Sequence, residues 1–158
     1  MADTQDRLIQ LLKGDLALLQ KLSETLDEEH QALADNDSER IRTLTDSKND
    51  LLESIRERAR RKVRLLVNLG YRPDQGAPSD FLVEQELDPT IQSLWGKAQS
   101  HLEHCQTRNE VNGRIIIHMN RRLGRMADIL RGNDQRQSLY GSSGQRSSLN
   151  SSTTFASA

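Results

Sequence analysis

His101, His104 and Cys105 are the residues of this chain whose types and spacing come nearest to a reactive group. On a helix these positions lie close together, and two imidazoles with a thiolate suit zinc. The count falls short, because a structural zinc takes four protein ligands and no second cluster is present. Cys105 also lies on an apolar helical seam, where a packing role accounts for it. Asp27 with His30 resembles half of a carboxylate-histidine diiron set, but the second Glu-x-x-His is missing. There is no glycine-rich loop ending in Lys-Ser or Lys-Thr, no Gly-x-Ser-x-Gly elbow and no His-Glu-x-x-His motif. These absences point to binding rather than catalysis, with no cofactor and no metal.

Binding has a clear candidate in residues spaced alternately four and three apart: Ile91, Trp95, Ala98, Leu102, Cys105, Asn109, Asn112, Ile116, Met119, Leu123, Met126 and Leu130. At 3.6 residues per turn this spacing holds one stripe for about five heptads, which predicts a long amphipathic helix packed lengthwise against others. Asn109 and Asn112 are its polar layer. Buried unpaired they would cost stability, so they either set register by hydrogen bonding inside the bundle or recognise a partner helix. Gly113 and Gly124 each cost about 1 kcal/mol in a helix unless another backbone approaches, and so are read as contact points.

The elements that position this helix follow from size and pattern. With 158 residues, 34% hydrophobic, 3% aromatic and 28% charged, the chain suits one slender core of aliphatic stripes. A formal net charge of −1 demands neither nucleic acid nor an anionic membrane. The polar, acidic start from Met1 to Asp6 and the lack of any run near the ~18 apolar residues of a span lead us to expect a cytoplasmic protein without direct membrane insertion. A single cysteine, Cys105, excludes an internal disulfide and agrees with a reducing compartment.

A first helix is predicted from about Thr4 to Ala34, with Leu12, Leu19, Leu26 and Leu33 seven apart and Leu8 and Leu22 on the companion position. Asp35 to Ser38 break it, and Asn36 with Glu39 has the form of a capping box, so a second helix returns antiparallel. That helix carries Ile41, Leu44, Lys48, Leu51, Ile55, Ala59, Val63 and Leu66 and closes at Gly70. Lys48 interrupts the stripe and is read as snorkelling at its edge in preference to a buried register-setting or partner-binding group, an alternative that stays open. Tyr71 to Leu87, with Pro73, Gly76 and Pro78, is predicted as a crossover loop with a short helical turn around Phe81, Leu82 and Val83. Asp88 and Pro89 start the third helix, and Gly132 and Asn133 are expected to stop it.

At about 42 residues the third helix would span roughly 63 Å against roughly 45 Å for each hairpin arm, so it overhangs. Three helices leave a groove for a fourth, supplied by a homodimer or by a partner. The fold class is all-α: an antiparallel hairpin plus a longer third helix, an elongated bundle over residues 1–132 with a flexible, disordered tail over 133–158. Ten of the 26 tail residues are Ser or Thr, too few apolar groups to offset ordering entropy.

The run from Arg56 to Arg64, reinforced by Arg121, Arg122 and Arg125, is the strongest charge cluster. It wraps around its helix and has no interleaved aromatic, so a solvated or acidic-partner-facing surface is preferred over nucleic acid.

The chain resembles the FlgN family of flagellar type III export chaperones. The resemblance is carried by the leucine heptads of the first helix, Lys48 before Leu51-Leu52, Arg64-Leu65-Leu66 leading to Gly70, Asn109-x-x-Asn112-Gly113, and Leu139-Tyr140-Gly141-Ser142-Ser143-Gly144 in the tail. It implies an ATP-independent chaperone that binds the hook-associated proteins of the hook-filament junction and escorts them to the cytosolic part of the flagellar export gate. Such cargo carries amphipathic terminal helices that would aggregate alone, and an apolar groove masks them until export. Carried over by position, cargo binding falls to Ile116, Met119, Leu123, Met126 and Leu130, and export-gate docking to Leu139, Tyr140 and Gly141. The rival readings are a structural coiled-coil protein, which predicts tight self-association without cargo, and a basic nucleic-acid binder, which predicts steeply salt-dependent binding.

Overall fold

The computed structural model describes the backbone of residues 2–139 and the side chains of residues 2–132. Over these residues the chain is all-α. Helix α1 spans Ala2–Ala34, α2 Ser38–Asn68, α3 Pro78–Glu84 and α4 Pro89–Leu139, with a 3-10 turn at Pro73–Gln75. The chain divides into two units, Met1–Ile116 and Ile117–Ala158.

In the first unit α1 and α2 form the predicted antiparallel hairpin. Its turn is built differently from the expected capping box. Asn36 takes a left-handed conformation, φ 55°, which a short polar side chain tolerates. Asp37 is the N-cap, and its carboxylate accepts from the Arg40 backbone N–H at 3.2 Å. With Asn36 ending α1, the capping role passes to the next residue. At the far end Gly70 has φ 103°, and Tyr71 N–H donates to Leu66 C=O at 2.9 Å, closing α2 as a left-handed glycine does.

The crossover carries the expected short helical turn around Phe81, Leu82 and Val83 as α3, and a 3-10 turn at Pro73–Gln75 besides. Its prolines start helical turns rather than preventing them, because Pro73 and Pro78 occupy first-turn positions where the missing N–H costs nothing. Leu82 of α3 is buried with Leu8, Leu12, Leu66, Tyr71 and Ile91 in one core cluster. Gln92 ties α4 to α3 by donating to Leu82 C=O at 2.7 Å. A second cluster joins Leu19, Leu22 and Leu26 to Ala98 and Cys105 of α4.

Two charged layers interrupt these clusters. Lys48 is not at the seam's edge but buried, 8% exposed, where its ammonium lies 2.9 Å from the fully buried Glu29 carboxylate. Asp15 meets Arg58 Nε at 2.6 Å and Lys62 Nζ at 2.6 Å. Snorkelling fails for Lys48 because a counter-charge is available inside, which repays its desolvation. Asp15 and Glu29 stand two heptads apart on α1, as Lys62 and Lys48 do on α2. Antiparallel pairing satisfies both layers in one register, and a slip of one heptad would face each acid with an aliphatic residue.

Arg58 reaches Asp15 by crossing directly over Gly14. It also donates from Nη2 to Leu11 C=O at 2.6 Å, and a Cβ on Gly14 would overlap that nitrogen. Gly14→Ala should therefore destabilise the protein by roughly 1 kcal/mol, because displaced charge-assisted bonds outweigh the ~1 kcal/mol gain in helix propensity. In an Arg58→Ala background the same change should become stabilising; equal effects in both backgrounds, measured by urea unfolding, would remove this account.

Helix α4 starts as expected: the Asp88 carboxylate accepts from Thr90 N–H at 2.8 Å, and this bond holds its pKa below the ordinary value. It does not stop at Gly132 but continues to Leu139. A glycine ends a helix when it turns left-handed, and the described positive-φ glycines are Gly70 and Gly76; without a following proline, Gln and Arg carry the helix on. Among the described residues nothing lies within 4 Å of a Cβ added at Gly113 or Gly124, so neither marks a close approach within this chain.

Candidate functional site

The heptad seam of α4 changes character along its length. In the first unit Ile91, Ala98, Cys105 and Asn112 are buried, while Trp95, Leu102, Asn109 and Ile116 are half-buried. In the second unit Met119 is half-buried, but Leu123, Met126 and Leu130 are 61%, 59% and 64% exposed. Ile117 and Ile129, not among the candidates that the sequence pattern picks out, are exposed as well. Ile129 lies three residues after Met126 and broadens the stripe, a signal an alternating four-three reading misses by following one line. Isolated exposed leucines are ordinary, but several on one helical face are not.

Asn112 is fully buried and its amide nitrogen donates to Leu26 C=O at 3.0 Å and to Glu29 Oε1 at 2.9 Å. Its carbonyl oxygen lies 3.1 Å from His30 Nδ1. With Lys48 and Thr45 also on the Glu29 carboxylate, one carboxylate joins α1, α2 and α4. Asn109 stays half-buried outside this set. Sequence pattern alone does not single out Glu29, Asp15 or Arg58. The available signal is that Asp15 and Glu29 fill the heptad line of Leu8 and Leu22, where leucine would be expected.

The other candidate groups are placed as follows. Asp27 pairs with Arg108. His101 and His104 are exposed, and no group of three or more metal-binding side chains occurs among the described residues. Cys105 is buried, and its thiol contacts Leu19 C=O at 3.6 Å. Burial pushes this thiol's pKa up, and the Asp27 carboxylate adds to it. A thiol reagent at neutral pH should therefore label Cys105 only as fast as the protein opens, whereas labelling at the rate of a free thiol would contradict its burial. Leu139 is the last residue whose backbone is described; its side chain, Tyr140, Gly141 and the rest of the tail lie outside the described residues.

No helix among the described residues is long and apolar enough to cross a membrane. The described residues thus define an α-helical protein with a layered polar interior and an uncovered apolar helix face, a form suited to receiving another helix. The family described as FlgN protein matches residues 1–148. The chain belongs to that family, which is one of flagellar export chaperones rather than enzymes. Neither curated proteins nor solved structures give a match.

Proposed function

We propose that this protein acts in the cytoplasm as an export chaperone for hook-associated proteins, holding their amphipathic terminal helices and delivering them to the cytosolic part of the flagellar export gate. The observation that carries this reading is the exposed stripe of Leu123, Met126 and Leu130, continued from Ile116 and Met119. An amphipathic helix laid along it would exchange water for apolar contacts on both partners, and methionines adapt to an irregular partner surface. Leu139, Tyr140 and Gly141 are the segment proposed to dock on the gate, Tyr140 by an aromatic face with a polar tip.

The test is calorimetry of the full chain, and of a chain ending at Gly132, with the C-terminal helices of hook-associated proteins. Stoichiometric binding by both chains supports cargo capture on α4. Loss of cargo binding on truncation would move recognition beyond Gly132, into the last turns of α4 and the segment after it. Tight homodimers that ignore every cargo helix would replace the reading with structural self-association.

A further inference from the structure

We propose that the first unit carries a second protein-binding site, a basic groove between α1 and α2 that receives a short acidic amphipathic helix of a partner protein. The groove is shallow, about 600 Å³, with Leu11 and Leu65 at its base and Arg7, Arg58, Arg61 and Arg64 around it. Both leucines are half-buried, so each retains apolar surface for a partner.

The cations around it exceed what their neighbours neutralise. Arg58 is committed to Asp15 and to the Leu11 carbonyl. Arg60 and Arg61 share the single Glu57 carboxylate, at 3.6 and 3.3 Å. Arg64 makes no ion pair among the described residues. Among the described residues Arg7 pairs with Asp3, and both side chains are largely exposed. Exposed pairs of this kind are weak and exchange readily with an incoming carboxylate. Guanidinium groups favour carboxylates through paired N–H donors.

Two features favour an acidic helix over a nucleic acid. The apolar base offers nothing to a phosphate backbone. No aromatic side chain lines the groove to stack on a base. A partner with leucines on one stripe and Glu on both flanks satisfies base and rim together. The groove runs over about two turns of each helix, so two to three turns of partner would fill it.

The probe is a synthetic helix of about 20 residues with a leucine stripe flanked by Glu, titrated against the full chain beside a twin with Lys for Glu. The expected result is that only the Glu peptide binds, that salt weakens it, and that R61E/R64E lowers its affinity at least about tenfold. L123S/M126S/L130S should leave it unchanged, which separates this groove from the α4 stripe. Both variants alter exposed side chains, and circular dichroism checks that they stay helical. Equal binding of the two peptides, no binding of the Glu peptide, or an unaffected R61E/R64E variant would overturn the proposal. Displacement of the peptide by a single-stranded oligonucleotide would overturn it in favour of nucleic acid.

Discussion

Replacing Leu123, Met126 and Leu130 together by serine should weaken binding of a hook-associated terminal helix by about a hundredfold or more. Fully burying a Leu or Met side chain is worth about 1.5–3 kcal/mol. Truncating three anchors on one face therefore removes more than the ~2.7 kcal/mol that a hundredfold represents, even if burial in the complex is partial. These side chains are mostly exposed in the free chain, so the folded protein loses little by their removal. The thermal midpoint should stay within about 6 °C of the parent, since each exposed substitution usually shifts stability by less than ~0.5 kcal/mol and the three together by less than ~1.5 kcal/mol. Calorimetry and a melting curve on the same sample read both quantities. Undiminished binding would show that the stripe is not where cargo sits, and a collapsed melting curve would show that it is core.

The contrast between seam and stripe shows what sequence alone can give. Periodicity locates α1, α2 and most of α4, because leucines seven apart share one face of a helix but alternate between the two faces of a strand. It cannot tell a covered seam from an uncovered one: Ile91 and Leu130 share the pattern, yet one is buried and the other exposed. Coverage depends on which other helices reach that turn, and that is a property of the packed chain. The prolines at 73 and 78 mislead because a proline inside a helix and one at its first turn look alike in a sequence without clear periodicity. Gly132 misleads for a related reason: the φ that makes a glycine a stop is set by the backbone around it. The least legible residues are the charged ones. Lys48 looks like an interruption, and Asp15 and Glu29 do not stand out, because a charged residue on a seam is informative only when its opposite number is known.

That pairing leads to the second large effect. Lys48→Met should cost about 3–5 kcal/mol, because it leaves the fully buried Glu29 without its counter-charge. The Thr45 hydroxyl and Asn112 amide remain as donors, but neither neutralises a carboxylate. For a domain of this size the thermal midpoint should fall by at least about 10 °C. Replacing Glu29, Lys48 and Asn112 together by leucine or methionine should restore most of the loss, since three apolar side chains leave no charge to desolvate. What the triple variant should lose is register. With Glu29 and Lys48 gone, the layer of Asp15, Arg58 and Lys62 alone opposes a slip of α1 against α2, and Asn112 no longer fixes α4 to Leu26 and Glu29. Paired cysteines at exposed positions facing across the α1–α2 hairpin report this, by cross-linking at one spacing in the parent and at several in the triple variant. A triple variant as unstable as Lys48→Met would mean that the network contributes net stability, and one with a single spacing would mean that leucine packing sets the register unaided.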